Sequence, residues 1–149
     1  MAAGAWTVYN ESKKKIGNGS ISLASTVYRM TLHTSASNAN TATLSIYNEL
    51  DNQVTEANGY SSSGKAMTSE VWTQGVSAGQ YKFDMDDPFW SANGGSIANV
   101  KFAVLWLSAA ASANRHLLCR SQLSTAQFSI STGNRLTIQM ASTGVLTLA

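Results

Sequence analysis

The chain has 149 residues and a mass of 15.8 kDa, enough to bury a sizeable core without relying on disulfides or a structural metal. Only 12% of its residues are charged, about half the usual share, and the net charge is +2. That balance excludes an electrostatic nucleic-acid binder, whose basic residues cluster on one face, and the 44% hydrophobic content excludes disorder.

At the N-terminus Trp6, Val8 and Tyr9 precede the polar stretch Glu11 to Ile16, which is expected to form a single helical turn. Thr26 to His33 alternates, with Tyr28, Met30 and Leu32 on one face and Arg29, Thr31 and His33 on a polar one. Thr34 to Thr41 reads as a polar loop. Alternation returns in Thr43 to Ile46, Gln80 to Met85, Gln127 to Ile130 and Arg135 to Met140, each expected to be a strand. Val100 to Leu107 starts in alternation and ends apolar on both faces, as a central strand does, which places Trp106 in the core. Leu107 to Leu117 is alanine-rich but reads as a loop, and Val145 to Leu148 as a short closing strand.

Turn chemistry separates these runs at Gly17-Asn18-Gly19, Asn58-Gly59, Asn93-Gly94-Gly95, Thr132-Gly133-Asn134 and Thr143-Gly144. The segment around Gly133 lies between two alternating runs and is expected to close a hairpin. Short strands at this spacing predict an all-β, antiparallel sandwich or jelly-roll in one domain, residues 1–149.

Little in the sequence points to chemistry. Cys119 is the single cysteine, so no internal disulfide can form. With His33 and His116 the only histidines, no zinc spacing exists, and the expectation is surface or interface histidines beside a small buried thiol. Asp84, Asp86 and Asp87 are the only acidic cluster; without a calcium-loop glycine pattern they read as a strand end and turn bent by Pro88. Lys13-Lys14-Lys15 reads as a solvated face. With only two histidines no persuasive catalytic triad can be assembled, and no P-loop or dinucleotide fingerprint occurs, so neither an enzyme nor a cofactor is expected. Met1 to Trp6 lacks the pattern of a secretory signal. Phe102 to Leu107, the longest apolar run, is too short to cross a bilayer, so no membrane role is expected.

Certain segments together carry a resemblance. They are Lys15 to Gly19 with Leu23, Met30 to Ala39, Asn58 to Lys65, Trp72-Thr73, Lys82-Phe83-Asp84, Trp90 to Ile97 and Gly144 to Leu148. The pattern resembles a family of small β-rich virion structural proteins of tailed bacteriophages. That resemblance implies a non-enzymatic capsid decoration (cement) protein in the virion, assembled in the host cytoplasm. It would bind the major capsid protein or other virion structural proteins, and it would form a homo-oligomer, a trimer first of all. A tail, neck or fibre-base component is the alternative within phage. A carbohydrate-binding module using Trp72, Trp90 or Tyr60 as a platform is the alternative outside it.

A shell protein needs adhesive surfaces, and aromatic rings near strand ends together with apolar chain ends supply them. Trp6, Tyr9, Trp72, Trp90, Val145, Leu146 and Leu148 are therefore the expected interface residues. Residues 1–9 and 144–149 are the expected arms.

Overall fold

The computed structural model describes residues 4–24 and 27–148. Thr26, which opens the second expected run, lies outside the described residues, as do Met1 to Ala3 and Ala149 at the tips of the expected arms.

In chain order the elements are β1 (Thr7–Val8), α1 (Asn10–Gly17), β2 (Tyr28–His33), β3 (Lys65–Ala66), β4 (Val71–Gln74), β5 (Tyr81–Asp84) and β6 (Phe89–Ser91). There follow β7 (Ile97–Val100), β8 (Phe102–Leu107), β9 (Leu117–Gln122), β10 (Phe128–Ile130), β11 (Arg135–Thr137) and β12 (Leu146–Leu148). Strands take 36% of the residues against 12% for helices, and every strand pairing is antiparallel. The protein is all-β.

The largest sheet has the order β1-β9-β8-β2-β3, so the strand read as central does lie in the middle. Its two faces feed two clusters. Leu105 joins Tyr28, Met30, Leu32, Phe83 and Leu118 in the main core. Phe102, Val104 and Trp106 face the other way, onto Tyr9, Ala39 and Leu117. Trp106 is thus core, but core of the smaller cluster. Tyr47 stacks on its ring with the centroids 4.2 Å apart.

The remaining strands form three smaller sheets, β12-β5-β4, β10-β7 and β11-β6. These pairings correct the hairpin expected at Thr132-Gly133-Asn134. β10 and β11 flank that turn but pair with β7 and β6, so the chain changes sheet there. Thr43 to Ile46 is not a strand either. The Glu49 carboxylate accepts the backbone N–H groups of Ser45 at 2.6 Å and Ile46 at 3.2 Å, and this draws the segment into a 3-10 turn over Tyr47–Glu49. Asn58-Gly59 behaves as its sequence predicts. Both residues have positive φ, 56° and 96°, and close a tight bridge between Ala57 and Tyr60. A side chain at Gly59 would strike the Ser91 carbonyl.

Helix α1 runs for two turns instead of one because tertiary bonds hold it. The Tyr9 N–H donates to the Leu118 carbonyl at 3.1 Å, and the buried Ser12 hydroxyl donates to the Leu117 carbonyl. Glu11 in the first turn and Lys14 and Lys15 in the last complement the helix dipole. The face of β2 read as polar is buried as well. Thr31 and His33 are fully covered, and a bridge between His33 and Gln53 closes over them. His33 is therefore not a surface histidine.

Candidate docking face

The sheet β12-β5-β4 has one apolar side. In its register Trp72 and Leu146 flank Phe83, and Gln74 and Leu148 flank Tyr81. Side chains two apart on a strand share a face, so Trp72, Phe83, Leu146, Tyr81 and Leu148 form one patch. Phe83 is fully buried and meets the Tyr28 ring edge-on at 5.2 Å, which anchors the patch to the main core. Farther out the cover ends. Trp72 and Leu146 are half-buried, Tyr81 is 48% exposed and Leu148 is 65% exposed. The Trp72 and Tyr81 rings lie nearly parallel with centroids 6.3 Å apart.

Opposite this patch stand α1 and the segment that follows it. Between them runs an apolar groove of about 430 Å³, lined by Ile16, Ile21 and Leu23 on one side and by Trp72, Leu146 and Leu148 on the other. Lys13 supplies the one charged group of the lining. A second cavity beside it brings Trp6 against Val145 and Leu146. Gly144 shapes this corner, since its φ of 76° turns the chain into β12 and a side chain there would collide with the Phe83 carbonyl. On the far side of the sheet Lys82 pairs with Asp84 at 2.5 Å and donates to the Ser142 carbonyl at 2.9 Å.

The structure thus brings together four of the seven expected interface residues, Trp6, Trp72, Leu146 and Leu148. It places the other three inside. Tyr9 is fully buried and its hydroxyl donates to the Ala39 carbonyl at 2.7 Å, while Trp90 and Val145 are 4% and 3% exposed. These three belong to the two core clusters. Burial of Tyr60 and Trp90 likewise removes two of the three rings considered for a sugar platform. Both expected arms pair within the chain's own sheets, β1 with β9 and β12 with β5. Tyr81 also belongs to the patch, although it is not among the expected interface residues. Its signal was the Tyr81-x-Phe83 alternation, which puts it on the same side as a core residue.

Titratable groups elsewhere are bound into the structure. Asp86 accepts the Ser69 hydroxyl at 2.6 Å and Asp87 accepts the Met140 N–H at 2.7 Å, so with Asp84 on Lys82 each carboxylate has its own partner. No group of three or more potential metal ligands occurs among the described residues. His33 Nδ1 lies 3.1 Å from the Asp51 carbonyl and Nε2 lies 3.0 Å from the Thr31 hydroxyl, which fits a neutral ring protonated on Nδ1. Burial lowers its pKa to about 4, with the Asp51 carbonyl opposing the shift. Lys15 Nζ approaches His116 Nδ1 at 2.9 Å; partial burial first, then this ammonium, lowers the His116 pKa. Burial pushes the Cys119 thiol up, and the side chain is an inert part of the core.

Comparison with family models, with characterised proteins and with solved structures returns no match to this chain.

Proposed function

We propose that the protein is a structural component of a tailed-phage virion, in the first place a capsid decoration protein. In this reading it uses the groove between α1 and β12-β5-β4 to grip subunits of the shell. One observation carries the docking role: an apolar patch continuous with the core runs out into solvent through Tyr81 and Leu148. The location in a phage particle rests on the family resemblance of the sequence. β4 is the edge strand of its sheet, so the patch adjoins a place for strand addition. Fully burying a leucine is worth roughly 1.5–3 kcal/mol, so covering this patch yields a modest affinity per copy. A lattice of neighbours multiplies that affinity, and a surface with 12% charged residues loses little by desolvation. A homotrimer that seats the groove on capsid subunits is the arrangement we favour, with the four sheets wrapped as a sandwich-type domain.

A stained gel of purified particles of the encoding phage tests the reading. Decoration requires the chain at hundreds of copies per particle. A handful of copies would move the protein to the tail, neck or fibre base, and absence from the particle would end the virion reading.

A further inference from the structure

A different face of the molecule carries a second site. Where β2 and β8 meet the loop before β9, a cleft of about 480 Å³ opens on the side of the smaller core cluster. Arg29 and Trp106, direct cross-strand partners, both line it. Tyr47, stacked on Trp106, and Arg115, from the loop before β9, also line it, with Ser62 and Ser63 at its rim.

The cleft is rich in donors and poor in acids. Arg29 Nη1 donates to the Ser63 carbonyl at 3.0 Å and the Gly64 carbonyl at 2.9 Å, and Arg115 Nε donates to the Ala109 carbonyl at 2.9 Å. Each guanidinium is thereby fixed through a single nitrogen. Arg29 Nη2 and both terminal nitrogens of Arg115 have no partner among the described residues. Neither arginine has a carboxylate within 4.0 Å there; the one ion pair is Lys82 with Asp84. Trp106 is 4% exposed, yet its indole Nε1–H is buried without an acceptor. That N–H lies out of reach of solvent and serves as a reporter beside the arginines. The Tyr47 hydroxyl is already spent on Gln53 Oε1 at 2.6 Å and the Ser62 carbonyl at 3.1 Å.

We infer that this cleft binds an oxyanion, a carboxylate or phosphoryl group held by Arg29 and Arg115 beside the buried Trp106 indole. Guanidinium forks match the paired oxygens of either group, and charge-assisted bonds are the strong ones. Stacking of a sugar ring does not fit, because Tyr47 covers Trp106. The site is independent of the docking groove, so either can fail without the other.

The test follows the indole N–H resonance of Trp106 in ¹⁵N-labelled protein, assigned by its loss in Trp106→Phe. Separate titrations use sodium phosphate, sodium glutarate and sodium chloride at matched ionic strength. A saturable shift is expected with phosphate, with glutarate or with both, and none with chloride. A phosphate-only response assigns a phosphoryl ligand, and a glutarate-only response a carboxylate. Arg115→Gln should weaken binding about tenfold or more, as loss of a charge-assisted bond does. Arg29→Gln provides the second variant if Arg115→Gln does not fold. Absence of a saturable shift with either oxyanion, an equal response to chloride, or unchanged affinity in the folded arginine variant overturns the inference.

Discussion

The sheets β1-β9-β8-β2-β3 and β12-β5-β4 bury their side chains in opposite ways. In the first, polar residues go inside: Thr31, His33, Arg120 and Ser121 are all buried. Most of their polar atoms are satisfied there. His33 reaches Thr31 and Asp51, Ser121 donates to the Gly4 carbonyl at 2.9 Å, and Arg120 Nε donates to Asn40 Oδ1 at 3.1 Å. In the second sheet, apolar residues go outside, with Tyr81 and Leu148 left uncovered beside the fully buried Phe83. Loops decide the difference. The long excursion between β2 and β3 folds back over the outer face of the large sheet, whereas α1 and the segment after it leave a groove over the small one, with Tyr81 and Leu148 exposed. A covered face must satisfy its polar groups internally, whereas an open apolar face gains from a partner.

Four perturbations sharpen or break this contrast. The largest effect is expected at Trp106, which fills the covered side. Trp106→Ala should cost roughly 3–5 kcal/mol in urea unfolding. A loss below about 1 kcal/mol would mean that the second cluster is not a packed core.

The next effect is a pH dependence arising on the same face. The His33 value of about 4 in the folded protein lies below the ordinary histidine value, so the unfolded chain binds the extra proton between the two. Stability from this group is complete above about pH 6.5 and drains away as the pH falls toward 4, by roughly 3 kcal/mol at most. Unfolding free energies at about pH 7.5 and about pH 4.5 should therefore differ more in the wild type than in His33→Gln. Equal differences would show that His33 is not held neutral by burial.

On the open face the effects on folding should be small. Leu148→Lys should change the protein's stability by less than about 1 kcal/mol in urea unfolding. A loss of several kcal/mol would instead make Leu148 part of the core. Lys14→Ala marks the floor of the series. This exposed helix residue should shift stability by less than about 0.5 kcal/mol in thermal melting, and a larger shift would give the lysine run a structural role.

Local pattern made much of this architecture legible. Period-two alternation located β5, β10 and β11, and the doubly apolar end of Val100 to Leu107 located the central strand. Positive-φ chemistry identified the Asn58-Gly59 turn. What failed depended on contacts between distant residues. Nothing near Thr132-Gly133-Asn134 tells that its flanking strands belong to different sheets. Leu44 and Ile46 alternate as a strand would, but the Glu49 carboxylate captures the backbone there. His33 sits on a face that looks polar in sequence and is covered by residues from the loop that follows. The residues of the open patch were half legible for the same reason. An aromatic or aliphatic side chain near a strand end is equally suited to a core edge and to a surface, and only tertiary cover separated Trp90 and Tyr9 from Trp72 and Leu148.

The most direct measurement of the central claim is co-sedimentation with phage particles that lack the chain, comparing the wild type with Leu148→Lys. Both proteins should first show the same melting profile. If the open face of β12-β5-β4 grips the shell, the wild type pellets with the particles and the variant stays in the supernatant. Equal pelleting of a folded Leu148→Lys, or failure of the wild type to pellet at all, would contradict the account.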